Sequence, residues 1–369
     1  DYRERKDQGE GGKERWPDLM AEEYQLLRSN VRDFAQKNID SIAVKIEQQG
    51  LSLETARSMA SQGFIGARIP AEYGGTGLDE RGYMIVLEEL ARCSPSAAVR
   101  VLIANSLFLP LVMASEKSRE ILRDVASAKT SVAVDHCGLL EGHGGTSGVV
   151  IEGSRARGRI DYVLNGNADA IIIAANDPQN SLLLVRAGFR PAEEHPRLGL
   201  RGLNFSSLAI DSTDFEKLSE NGSRLIEAAV NDMDLEVAAV SLGIAAGALA
   251  KAVEYSKVRT TFEHPLKDYQ PVAFSLSLLK AEEEMIRDFA YGEHHAAAGK
   301  MMARARAFAL AKNATNQALQ VHGGYGYFED FGVEKFYRDA MAFSILFSRG
   351  TKDMERLSEQ VFDSKAGFL

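Results

Sequence analysis

An α+β fold in three parts is predicted: an N-terminal helical domain, a middle antiparallel β domain and a C-terminal four-helix-like bundle. Two observations predict it. Apolar residues recur every three or four positions up to about residue 129, fall into short β-branched runs to about 224, and then return to helical spacing. Gly, Asn, Asp and Pro cluster between the short runs of the middle section and are sparse inside the flanking ones. The expected divisions are a flexible arm over 1–16, a helical domain over 17–129, a β domain over 130–224 and a helical bundle over 225–369.

The arm is charged and contains Gly. In the helical domain Tyr24, Leu27, Val31 and Phe34 line one face of a helix. The segment from Pro70 to Leu78 (Pro-Ala-Glu-Tyr-Gly-Gly-Thr-Gly-Leu) breaks the pattern with turn chemistry, after which helices are expected over Tyr83 to Ala91 and Leu107 to Met113. Ser131 to Val134, Gly148 to Ile151, Ala170 to Ala175 and Ser181 to Val185 read as strands. Val237 to Tyr255 is apolar on nearly every side, as a central helix buried in a bundle must be. Gln270-Pro271 opens the next helix, with Val272, Leu276, Leu279, Ile286 and Ala290 on one face, since Pro suits a first helical position. A last long helix through 303–319 ends before Gly323-Gly324.

The 369 residues suffice for a sizeable core, and 45% hydrophobic with 26% charged residues is ordinary globular composition. A net charge of -9 argues against nucleic acid, whose phosphates attract a basic face. Cys93 and Cys137 have no metal or redox spacing and read as reduced thiols. No uninterrupted apolar run reaches the ~18 residues expected of a membrane span, because Ser241, Gly243 and Gly247 interrupt Val237 to Ala250. With no leader-like start, a cytoplasmic protein is the expectation.

Three stretches carry chemistry: Arg259-Thr260-Thr261-Phe262, Gln320-Val321-His322-Gly323-Gly324-Tyr325-Gly326-Tyr327, and Arg349-Gly350-Thr351. With Pro70 to Leu78, Val86 to Arg92, Leu198 to Gly202 and Val333 to Ala340, they resemble the acyl-CoA dehydrogenases over about residues 17–360. The resemblance implies an FAD lying across the boundary between two subunits of a tetramer, an acyl-CoA thioester substrate, and electron-transfer flavoprotein or a similar acceptor. It makes Arg259, Thr261, Phe262, Gln270, Gln320, Gly323, Gly324 and Thr351 cofactor-binding candidates. A guanidinium fork and close backbone approach at Gly-Gly are what a dinucleotide diphosphate requires.

Elsewhere the chain departs from the family pattern. Asp135-His136-Cys137-Gly138-Leu139-Leu140 stands where Thr-Glu-Pro and Gly-Ser would grip the flavin, and Gly144-Gly145-Thr146-Ser147 mimics part of it at most. Ala170 and Ile172 replace a Trp and a Thr of the ring wall, and the only tryptophan, Trp16, lies far outside. Arg349 replaces the Glu that removes the substrate's α-proton, and a guanidinium stays protonated. Some members place the base on the central helix, where Glu236 falls. Asp232, Asp234 and Glu236 together also suit a helix's first turn, and Val237 follows where an Arg is usual. His136, His143 and His322 read as ordinary surface or packed residues.

All the losses fall on one side of the implied cofactor. The expectation is therefore a partner subunit of a heteromeric α2β2 acyl-CoA dehydrogenase, lending contacts to a flavin held mainly by a paralogous chain that carries the base. Such enzymes resemble those acting on CoA thioesters of bulky steroid side chains, within lipid metabolism. The alternatives are a self-sufficient homotetramer using Glu236, and a non-dehydrogenase member of the fold, either a flavin monooxygenase or a non-catalytic scaffold.

Overall fold

A computed structural model describes residues 22–135, 148–292 and 296–363. The expected arm and Trp16 lie outside these residues, as do His136 to Leu140, Cys137 among them, His143, and Gly144 to Ser147.

The N-terminal helices begin with α1 (Glu22–Asn38), α2 (Ala43–Gln49) and α3 (Leu53–Ser61). Ser52 caps α3 by accepting the Thr55 N–H at 3.1 Å, and Asp79 caps α4 (Glu80–Cys93) by accepting from Gly82 at 2.8 Å. Next, α5 (Pro95–Leu102) runs through a π-helical stretch, Ile103–Phe108, into α6 (Leu109–Met113), and α7 (Ile121–Ala126) follows. The sequence suggested a helix only from Leu107. The wider π turn keeps the whole rod apolar and buried, so no turn residue marks its start beyond Ser94-Pro95.

The middle section forms two four-stranded sheets among the described residues. One holds β1 (Val132–Val134), β4 (Ala170–Ala174), β5 (Leu182–Val185) and β8 (Glu216–Ser219). The other holds β2 (Gly148–Glu152), β3 (Arg155–Leu164), β7 (Phe205–Asp214) and β6 (Phe189–Glu194). The pairing is antiparallel except that β1 lies parallel to β4, a correction to the all-antiparallel expectation. That pair is parallel because β2 and β3, which belong to the second sheet, intervene as a crossover. Side chains alternate along β4. Ile171 and Ile173 fill the space between the sheets, whereas Ala170, Ile172 and Ala174 join the main helical core.

The C-terminal bundle comprises α8 (Gly222–Asp232), α9 (Asp234–Val258), α10 (Gln270–Tyr291), α11 (Ala297–His322), α12 (Glu334–Leu346) and α13 (Thr351–Asp363). Helix α9 packs against α4 on one side and α11 on the other, which accounts for its all-round apolarity. At Gly243 and Gly247 it approaches α4 so closely that a Cβ would meet the Glu88 and Arg92 carbonyl oxygens at 2.3 and 2.4 Å. The glycines that interrupt the apolar run are thus contact residues. Helices Pro95–Met113 and Asp234–Val258 are in fact long and apolar enough to cross a membrane, but 83% of each apolar window is buried inside the protein. Burial against other helices, not lipid, explains their composition.

Charged groups stitch α1, α4 and α10 together. Glu88 accepts from Arg28, Arg287 and Tyr291, and Glu89 accepts from Arg28 and Arg32. Burial alone would raise the Glu88 carboxyl, but Arg287 and Arg28 hold it down at about 2. On the outer face of α10, Phe274, Leu278 and Met285 are 59%, 72% and 72% exposed and share one stripe.

Candidate active site

The two ends of α9 carry the functional candidates. Glu236 lies in its first turn, and Arg259 caps its last. At 1.5 Å per residue these ends stand about 35 Å apart, with the buried bundle core between them.

At the N-terminal end, Arg349 is buried and its partners are fixed. It donates to Asn231 and Asp234, and its Nε lies 3.1 Å from Asp353. Arg304, 1% exposed, bridges the same two carboxylates, with Nη1 at 3.1 Å from Asp234 and Nη2 on Asp353. Two cations and two anions thus form a closed, neutral cluster. Burial pushes the Asp234 carboxyl up while Arg304 and Arg349 pull it back. Arg349 is a structural ion here and offers nothing to a substrate. The acids one turn further along supply its counter-charge: Asp353 belongs to the cluster, while Glu355 is exposed.

Of the three acids flanking the start of α9, Asp232 is exposed, Asp234 is locked in that cluster, and Glu236 points elsewhere. Glu236 is 5% exposed and lines a cavity of about 380 Å³ with Arg68, Asn105, Ser106, Leu109, Met233 and Lys300. Its Oε1 sits 3.7 Å from Arg68 Nη1, while its buried Oε2 has no hydrogen-bond partner among the described residues. Burial, reinforced by Glu80, pushes its carboxyl up to about 7, against the pull of Arg68 and Lys300. A carboxyl balanced between its two protonation states near neutrality suits proton transfer.

At the other end, Arg259, Tyr255, His322, Gly323, Gly324 and Tyr325 line a cavity of about 420 Å³. The Arg259 guanidinium lies 5.4 Å from the Tyr325 ring centre and makes no ion pair among the described residues. His322 is a packed residue, stacked on Tyr255 at 4.2 Å. Gly323 has φ +57, and a Cβ at Gly323 or Gly324 would meet nothing within 4 Å, so the strip faces open space. Thr261 lies in a short hairpin, Thr260–Thr261 against His264–Pro265, where its carbonyl accepts from the Tyr269 hydroxyl at 2.6 Å. Phe262, at the tip, is 88% exposed and held at φ +46. A bulky residue in that strained region is a recurring mark of a ligand or partner clamp.

The structure thus brings Arg259, Thr261, Phe262, Gly323 and Gly324 to one end. Gln270 and Gln320 are exposed nearby, at the first residue of α10 and in the last turn of α11, but do not line the cavity. Thr351 opens α13 two residues after Arg349 and therefore sits at the opposite end. Arg68, Asn105 and Lys300 were not found from the sequence. One signal was legible: Arg68 is a cation flanked by Ala67 and Ile69, both fully buried.

FAD fits one end and not the other. Arg259, Phe262 and the Gly323-Gly324 strip would hold the diphosphate and adenine side, offering a free guanidinium fork and open backbone. The positions that the resemblance assigns to the ring side, Ala170 and Ile172, are 1% and 0% exposed and packed into the main core with Val132 and Val134. Neither can stack on or hydrogen-bond to a ring. Asp135, whose N–H donates to the Ile172 carbonyl at 2.9 Å, is buried with its carboxyl pushed up to about 7.

Comparison with known proteins places this geometry. The family model for the N-terminal domain of acyl-CoA dehydrogenases matches residues 21–129, and that for the C-terminal domain matches residues 220–358. A 3-(aryl)acrylate reductase from Clostridium sporogenes is 30% identical over 378 residues, covering 92% of this chain and 98% of that protein. The chain belongs to the acyl-CoA dehydrogenase family. Another member, a caffeyl-CoA reductase-Etf complex subunit (CarC) from Acetobacterium woodii, is 28% identical over 92% of this chain and 97% of its own length. The glutaryl-CoA dehydrogenase of Mycobacterium smegmatis, solved in complex with FADH2, shares the fold with a TM-score of 0.84. It is 19% identical and is covered over 97% of its length, against 95% of this chain. This family member therefore has the helix–sheet–helix architecture of the acyl-CoA dehydrogenases, built around an α9 whose two ends differ in kind.

Proposed function

We propose that this chain is the partner subunit of a heteromeric acyl-CoA dehydrogenase. It lends Arg259, Phe262, Gly323 and Gly324 to an FAD held mainly by a paralogous chain, and that chain carries the base for α,β-dehydrogenation of an acyl-CoA thioester. The observation that carries the reading is the burial of Ala170 and Ile172 in the core, set against the open cavity at Arg259. The exposed stripe Phe274, Leu278 and Met285 supports a second helical subunit packing on α10. The Etf-associated relative supports an electron-transfer flavoprotein as acceptor. Thioesters of bulky steroid side chains are the first substrates to try, and the flavin, when bound, supplies the hydride acceptor.

The test is the visible spectrum and FAD-to-protein ratio of the chain purified alone and after co-expression with a paralogue. A colourless chain that gives a yellow complex is expected. Stoichiometric flavin on the chain alone rejects the heteromer. In that event the second reading, a self-sufficient homotetramer, takes its place, favoured by the buried Oε2 of Glu236, unpartnered among the described residues. It requires that Glu236→Gln abolish dehydrogenation while flavin is retained.

A further inference from the structure

A further cavity, of about 430 Å³, opens where the three parts of the fold meet, a volume within the range of small-ligand pockets. Helix α2 supplies Val44 and Glu47, the connection from β6 to β7 supplies Pro196 and Arg201, and Glu329 and Glu334 come from the approach to α12. These walls are fixed from behind. Arg338 donates to Glu47, to Glu334 at 3.0 Å and to the Leu198 carbonyl at 3.3 Å, so one guanidinium ties all three. The Leu200 N–H donates to Asp339 at 2.6 Å, and a Cβ at Gly199 would meet the Arg338 carbonyl oxygen at 2.1 Å, so the connection is pressed onto α12. Walls already ordered lose little entropy when a ligand enters. Arg201 is the member left unsatisfied. Its Nε reaches the Arg197 carbonyl at 3.4 Å, and its terminal nitrogens have no hydrogen-bond acceptor among the described residues. Two carboxylates stand off from it: Glu47 Oε1 lies 3.9 Å from Nε, and Glu329 Oε1 lies 3.8 Å from Nη1, both beyond hydrogen-bond distance.

Charge decides what such a cavity takes. A simple anion on the Arg201 fork is repelled by Glu47 and Glu329, each within 4 Å of the same guanidinium. A simple cation between the two carboxylates is repelled by Arg201 in the same way. A molecule that carries both charges a few bonds apart satisfies both sides at once. We infer that this cavity binds a small zwitterion of the class of a free α-amino acid. The ligand's carboxylate accepts hydrogen bonds from the terminal nitrogens of Arg201, its ammonium donates to Glu47 and Glu329, and an aliphatic side chain lies against Val44 and Pro196. Bound there, the ligand bridges the helical domain, the exit of the β domain and the bundle, and it stabilises the folded chain by mass action. Neither a flavin nor a thioester takes part, so the site stands apart from the dehydrogenase reading.

The test is calorimetric titration of the full chain with L-leucine, beside thermal melting at the same ligand concentrations. Isocaproate and isoamylamine are the controls: each keeps the leucine side chain and carries only one of its two charges. Saturable binding of leucine with a rising Tm is expected, and no saturation by either control. Arg201→Met should weaken leucine binding about 10- to 100-fold, and Arg201→Lys should recover part of the loss. Glu329 is largely exposed, so Glu329→Gln should weaken it only about 2- to 5-fold. Melting of each variant without ligand checks that the fold is retained; a merely structural Arg201 would lower that Tm and leave the leucine affinity unchanged. Leucine that fails to saturate overturns the proposal. So does isocaproate or isoamylamine binding as tightly as leucine, or an Arg201→Met variant with wild-type affinity.

Discussion

The two ends of α9 are built from the same kinds of residue and do opposite things with them. At the C-terminal end, Arg259 has no counter-ion among the described residues, Phe262 is exposed in a strained conformation and Gly323-Gly324 borders empty space. At the N-terminal end, Arg349 and Arg304 are sealed against Asp234 and Asp353. An open end with unused donors is suited to binding something outside the chain. A neutral, closed ion cluster is suited only to holding helices together. The lesson is that Arg349 leaves no hole: its partners make it part of the scaffold.

An acid placed at position 349 is the severest challenge to this contrast. Arg349→Glu places three carboxylates around Arg304 and should cost about 3–5 kcal/mol in urea unfolding, with no gain of dehydrogenation. A stable, newly active variant would break the comparison.

Next in size is the pH dependence of stability. The Glu236 carboxyl stays protonated in the folded chain to about 7, against an ordinary value of 4.5. The folded state therefore binds more protons than the unfolded state between those values, and stability falls as pH rises through that window. Above it the penalty is up to about 3 kcal/mol. Glu236→Gln should remove that penalty, so the variant is the more stable one at pH 8 and its advantage vanishes below pH 4.5, as denaturation midpoints across pH would record. Glu88 works in the opposite sense. Held at about 2, it contributes stability that is lost as pH falls below 4.5.

Arg259→Met sharpens the open end. Loss of a charge-assisted fork of roughly 1.5–3 kcal/mol should weaken FAD retention by the co-purified complex about 10- to 100-fold, while the fold of the chain alone is unchanged by circular dichroism. The smallest effect is expected at the α10 stripe. Leu278→Glu with Met285→Glu should leave the chain's own stability within about 0.5 kcal/mol but shift the complex to smaller species in sedimentation.

Much of the fold was legible because its signals are local. The apolar run around Val237 to Tyr255, the Gln270-Pro271 start and the Gly323-Gly324 stop each reflect one helix's geometry, and the structure has helices at all three. The π-helical stretch was not legible, because nothing in Ile103–Phe108 distinguishes it from an apolar helix. Nor was the parallel pairing of β1 with β4, since a three-residue apolar strand reads the same in either direction. In the site, the Arg259 and Gly323-Gly324 strip was readable as motifs. Arg349 was readable as a missing base and not as a bridging ion.

The sequence by itself determined the order of helices and strands and the family resemblance, since each is written in residues a few positions apart. Only the tertiary structure decided what the replacements do. Asp234 lies 115 residues from Arg349, and Arg68 meets a Glu236 that stands 168 residues further along the chain. Whether a charge is paired, buried or open to a cavity depends on what folding brings beside it, and distance along the chain carries no trace of that.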